Sequence, residues 1–128
     1  MEANIAYVHR FISSLVFTGV IETIILFLLV WFLFKSRELG WKRIAAVGLF
    51  ASFSTIPYVW FVFPYLMNWA RNTSLFWSEL FAFVIEAILY RLFLKLDWKR
   101  AFLASLVCNS ASYFLGPILR TYGLWFYW

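Results

Sequence analysis

The chain holds one histidine, one cysteine and six acidic residues, and each scarcity closes off a kind of chemistry. Cys108 alone excludes an internal disulfide and a cysteine-ligated metal cluster, and is expected to serve as a small packing residue. His9 alone cannot supply a bis-histidine haem or a zinc site. HExxH, a glycine-rich phosphate loop, a nucleophile motif and a facing aspartate pair are all missing from the sequence. No cofactor, no metal and no complete catalytic set are expected, so the chain is read as not an enzyme.

Charge is scarce as well. Only 13% of the 128 residues are charged while 65% are apolar, against roughly a quarter and a half in soluble domains. A soluble domain of this length has too little interior for so many large apolar side chains, whereas lipid accepts them on the outer surface. The excess therefore points to a bilayer.

A helix crosses the hydrocarbon core with roughly 20 apolar residues, and four stretches qualify, at about 11–34, 44–66, 75–96 and 101–119. The expected fold class is an all-α integral membrane protein. Its first apolar run exceeds a signal-peptide core and is followed by no small-residue cleavage site, so it is read as a retained helix. The connections are only a few residues long, which makes successive helices antiparallel hairpins and leaves no room for a folded catalytic loop.

The net charge of +5 is not spread as a nucleic-acid face requires. Lys35, Arg37, Lys42 and Arg43 flank the first loop, and Arg91, Lys95, Lys99 and Arg100 flank the third; only Arg10, Arg71 and Arg120 fall on the other side. By the positive-inside rule the two basic loops face the cytoplasm and both termini face outward, in a multi-pass cell-membrane protein. Trp41 and Trp98 mark the inner interface; Trp60, Tyr65, Trp69 and Trp77 mark the outer one. The aromatic tail 120–128 is too short to span again and is expected to lie on the outer interface or against a partner.

The two halves resemble each other. Ser14 to Ile24 reads SLVFTGVIETI and Ser78 to Ile88 reads SELFAFVIEAI, identical at six of eleven positions. Both halves continue with Trp-Lys-Arg, at Trp41 and at Trp98, the first half being seven residues longer, about two helical turns. At that second offset Gly48, Ser52 and Thr55 fall on Ser105, Asn109 and Ser112, each set forming one helical face. A single membrane domain of two tandem hairpins is expected, repeat 1 over about 11–66 and repeat 2 over about 75–119. Each unit crosses twice, so this is a parallel internal repeat and the bundle is pseudo-twofold, with its polar faces inward.

Glu22 and Glu86 fall at mid-span, where a charge facing lipid costs several kcal/mol. Burial and mutual proximity disfavour two charges there, so at least one of the pair is expected to carry a proton at neutral pH. Glu79 stands one heptad outward of Glu86. Pro57, Pro64, Gly116 and Pro117 are expected to bend their helices or free carbonyls for a cation.

Two readings follow. One is a small oligomeric transporter or channel moving protons, cations or a small solute past these carboxyls, with Glu22, Glu86, Glu79, Asn109, Ser52, Thr55, Ser105 and Ser112 as its polar site. The other is a non-catalytic accessory subunit of a larger membrane complex, in which the same groups only fasten helices together. Its partners are then the bilayer and either further copies or other membrane subunits, and no nucleic acid.

Overall fold

The computed structural model describes residues 2–66 and 71–122. Trp69 and the tail from Gly123 onward lie outside them. Among the described residues the chain is helical apart from short turns, with no strand. Helix α1 spans Glu2–Leu28 and is prolonged by a π turn over Leu29–Leu33. A 3-10 turn, Arg37–Leu39, leads to α2, Trp41–Pro57, which continues through a π turn, Tyr58–Val62, and a last turn, Phe63–Leu66. Helix α3 covers Arg71–Phe93 and α4 covers Trp98–Thr121.

Three helical stretches are long and apolar enough to cross a membrane: Asn4–Leu33, Trp41–Leu66 and Trp98–Leu119. Helix α3, at 23 residues, carries Glu79, Glu86 and Arg91 and is not among these three. The helices also outrun the apolar stretches, α1 by nine residues at its start. Backbone hydrogen bonding continues through Glu2–Arg10 because nothing there stops a helix, whatever its polarity.

Each hairpin packs its own two helices, α1 on α2 and α3 on α4, and α1 also meets α4 while α2 meets α3. The four thus form a ring in chain order. One end of the ring carries the α1–α2 and α3–α4 loops and is called the loop end. The other, where the chain starts and α4 finishes, is the terminal end.

Both hairpin turns hinge on a lysine. Lys35 and Lys95 take left-handed φ values of 55° and 54°, a conformation that costs a non-glycine residue about 1–2 kcal/mol. These two positions divide the extra length of the first half: four residues lie in the helix before Lys35 and three in the loop after it, the 3-10 turn. The surplus is one helical turn and a longer loop, not two turns. Replacing Lys95 by glycine is expected to stabilise the protein by about half a kcal/mol, relief of the left-handed strain outweighing glycine's added chain entropy. Lys99→Gly, inside α4, is expected to cost about 1 kcal/mol; equal signs for the two in a detergent melting experiment would contradict this backbone.

The Trp-Lys-Arg segments tie the hairpins together at the loop end. Arg43 donates from Nε (2.9 Å) and Nη2 to the carbonyl of Phe93, at the end of α3, while Arg100 lies over the ring of Phe34, beyond the end of α1. Each arginine reaches from one hairpin to the other. Asp97 caps α4 by accepting from Arg100 N at 2.9 Å.

The prolines do not break their helices. Pro57 passes directly into the π turn, and Pro117 sits inside a continuous α4. Pro64 has no N–H for the carbonyl of Trp60 four residues back, and the Tyr7 hydroxyl donates to that carbonyl instead. Tyr7 and Phe11 stack edge-on against Trp60 and Phe61, which closes α1 on α2 at the terminal end.

Candidate functional site

Each polar stripe expected from the sequence lies on the inner face of its helix. Glu22 and Glu86 are 1% exposed, and Ser52, Thr55 and Ser105 are fully buried. Asn109 and Ser112 are partly buried on α4. Ring order brings these seven residues to one level of the bundle.

Every carboxyl oxygen of the two acids has its own donor. Ser52 Oγ donates to Glu22 Oε2 at 2.7 Å and Ser112 Oγ to Glu22 Oε1 at 3.0 Å. Thr55 Oγ1 donates to Glu86 Oε1 at 2.9 Å and Asn109 Nδ2 to Glu86 Oε2 at 2.6 Å. So α2 gives one donor to each acid and α4 gives one to each. Ser52 and Thr55 on α2, and Asn109 and Ser112 on α4, lie about one turn apart, so the two carboxyls they bind are neighbours at the centre of the ring.

Thr55, Ser112 and Asn109 have second partners. Thr55 Oγ1 is 3.1 Å from the carbonyl of Ala51, and Ser112 Oγ is 3.1 Å from that of Asn109. A hydroxyl carries one hydrogen but can also accept. When a carboxyl gains a proton, it can donate to the neighbouring hydroxyl, which then turns its own hydrogen to the backbone. Both protonation states are accommodated without an orphaned group, as burial at this depth demands. Asn109 is itself held, its Nδ2 reaching the Ser105 carbonyl at 2.8 Å, while Ser105 Oγ donates to the Phe83 carbonyl at 2.6 Å.

Glu79 sits apart. It lies two turns before Glu86 on α3, half-buried, near enough to feel the charge of Glu22 but without a hydrogen bond or ion pair among the described residues. Three neighbours escaped the sequence reading. Cys108 is buried with its Sγ 3.5 Å from the carbonyl of Glu22. Tyr90, one turn after Glu86, is fully buried against Cys108, its hydroxyl making no conventional hydrogen bond. Thr23, beside Glu22, has a buried hydroxyl with no partner, pressed against Gly48. The spacing of four from Glu86 to Tyr90 was the available signal for a shared face.

Removing one donor tests the network. Ser112→Ala is expected to lower stability in detergent by about 0.6 kcal/mol, the mean for an interhelical membrane hydrogen bond, and Asn109→Leu by roughly 1.7 kcal/mol, the upper end of that range. Chemical denaturation of the purified variants measures both; Asn109→Leu at wild-type stability would show that Glu86 does not depend on it.

The arrangement defines a class: an all-helical protein with membrane-length apolar helices and a buried, fully hydrogen-bonded carboxyl pair. Comparison with known protein families, curated proteins and solved structures finds no match to this chain.

Proposed function

We propose that the chain crosses a membrane four times as two tandem hairpins, and that the Glu22–Glu86 pair binds and releases a proton or small cation during transport. The membrane part rests on an inverted distribution of polarity. Val16, Val20, Ile24, Leu28 and Phe32 form a stripe along α1 that is 45–58% exposed, while glutamate, serine and threonine fill the centre. Water would reject that surface, and lipid accepts it. Helix α3 joins the others as a span because its acids face the ring rather than lipid.

The bond pattern supports the repeat. At the sequence offsets already given, Ser52 corresponds to Asn109 and Thr55 to Ser112. The bond Glu22–Ser52 inside the first hairpin then matches Glu86–Asn109 inside the second, and Glu22–Ser112 matches Glu86–Thr55 across them. A twofold exchange of hairpins carries each bond onto another. The charge bias of the loops and the exposed Trp41 and Trp98 at the loop end support a cytoplasmic loop end with both termini outside. Assembly as a homo-oligomer belongs to the same proposal.

The observation that carries the transport reading is the facing pair whose hydroxyl donors can turn between carboxyl and backbone. Thr55 and Ser112, one donor to each acid, have such a second position at a backbone carbonyl, which a group that gains and loses a proton can use. The test is proton uptake into liposomes holding the purified protein, driven by a potassium diffusion potential and followed with a trapped pH dye, and in parallel sodium uptake. If neither ion enters faster than in empty liposomes, the accessory-subunit reading takes its place.

A further inference from the structure

The two ends of the bundle differ in what fills them. Toward the loop end, the carboxyl pair is backed by Leu26, Val30, Ile44, Val47, Leu94 and Leu96, all 8% exposed or less and part of one continuous cluster with Tyr90 and Cys108. The members of that cluster carry no polar group apart from the Tyr90 hydroxyl and the Cys108 thiol; Trp31, with its Nε1 buried, packs against it, and Leu94 and Leu96 line a cavity of about 540 Å³ at the loops together with Glu38, Arg43, Asp97 and Arg100. Toward the terminal end Phe17, Ile56 and Ala82 are buried as well, and hydroxyls join them. Ser14 and Ser78 are buried there at 7% and 1%, Thr18 lies between Ser14 and Glu22 on the same face of α1, and Glu79 is half-buried without a hydrogen-bond partner among the described residues. The Ser78 hydroxyl is bonded only to its own helix, at the carbonyl of Leu75.

We infer that the Glu22–Glu86 pair communicates with water from the terminal end only, along Ser14, Thr18, Ser78 and Glu79, and that Glu79 is a positioning residue that draws cations into this lane. The inference rests on the transport reading for its purpose, but its physical content is access. A dry apolar layer about two helical turns deep, roughly 10 Å, opposes a proton or cation because no group there replaces its hydration. Hydroxyls at intervals of one turn, ending at an unpaired carboxyl about 10 Å from the pair, give water and cations the partners they need. In this conformation the proposed path leads to one side. Release to the other requires the apolar layer to part.

Thiol labelling reads access directly and needs no transport. In a Cys108→Ala background, cysteine is placed at Ser14 and Ser78 in the lane, at Leu26 and Val47 in the apolar layer, and at Val20 on the outer stripe. None of these replacements substantially overfills its site. The reagents are 2-aminoethyl methanethiosulfonate, which is cationic, and neutral methyl methanethiosulfonate. The lane positions are expected to react with the cationic reagent at least tenfold faster than Leu26→Cys, Val47→Cys and Val20→Cys. Adding Glu79→Gln is expected to slow the cationic reagent at Ser78→Cys on the order of tenfold, as for a charge within about 10 Å at an effective dielectric of about 20, and to leave the neutral reagent unchanged.

Reaction of the apolar-layer cysteines as fast as the lane cysteines, or lane cysteines as slow as Val20→Cys, overturns one-sided access. Equal slowing of both reagents by Glu79→Gln overturns the role of Glu79. Labelling as expected in a protein that moves no ions removes the transport reading and leaves the access path standing; ion flux with even labelling does the reverse.

Discussion

Glu22→Gln and Glu86→Gln are each expected to reduce ion uptake to the level of empty liposomes while leaving the protein folded. The reason lies in what Gln does to the hydrogen bonds. It keeps one acceptor oxygen and replaces the other with an amide that donates but cannot take up a proton. At position 86 the oxygen can still accept from Asn109, and the amide can donate to Thr55 Oγ1 if that hydroxyl turns to Ala51 O, 3.1 Å away. At position 22 the oxygen accepts from Ser52 and the amide donates to Ser112 Oγ, which turns to Asn109 O, also 3.1 Å away. Helix content and melting midpoint should therefore stay close to wild type. One proton-binding group of the pair is lost in either variant, so the double variant should be no worse than each single one. Wild-type uptake in both single variants would show that ions do not pass by way of these carboxyls.

The second large effect concerns Gly48. A Cβ at this position would stand 2.8 Å from Thr23 Oγ1 and 3.1 Å from Thr23 Cα. The hydroxyl can rotate away, but the Cα belongs to the backbone of α1 and cannot. Gly48→Ala must therefore push α1 and α2 apart, at about 1–3 kcal/mol, and Gly48→Leu is expected to prevent the two helices from pairing. Ser52 lies one turn further along the same face, with its 2.7 Å bond to Glu22, so a parted interface also strips the carboxyl of a donor. Gly19 supplies the control. Its Cβ would meet only the ends of Phe53 and Leu49 side chains, at 3.4 and 3.5 Å, and Gly19→Ala should be neutral or stabilising by up to about 1 kcal/mol through helix propensity. Equal destabilisation by the two alanines, in denaturant titrations of detergent-solubilised protein, would refute the close approach at Gly48.

Much of this architecture could be read from the chain. Segments of helix length, the antiparallel order forced by short loops and the inward stripe of small polar residues follow from periodicity, because a helix repeats its face every three to four residues. Val-Ile-Glu in both halves marked the two acids. The partner of each acid was not legible. Glu22 takes Ser52 from its own hairpin but Ser112 from the other, and that crossing depends on how each helix is rotated within the ring. Nor was the use of Trp-Lys-Arg legible. In the sequence these residues mark a membrane side, while in the fold Arg43 reaches the end of α3. Such a contact joins residues 50 apart, and no local pattern encodes it.

The sequence by itself pointed to an apolar, all-helical chain, to the order of its helices and to the inward face that holds its two acids, since these depend on composition, on run length and on the 3.6-residue period. Only the tertiary structure decided that Glu22 and Glu86 are neighbours, that each of their carboxyl oxygens has a separate donor, and that Glu79 has none among the described residues. It also decided which buried side chains stand on either side of the acids, Leu26, Val30 and Val47 toward the loops and Ser14 and Ser78 toward the termini. The physical reason is that hydrogen bonds and close packing act over a few ångströms between helices whose relative rotation and approach are set by all four together, as in the close approach of Gly48 to Thr23.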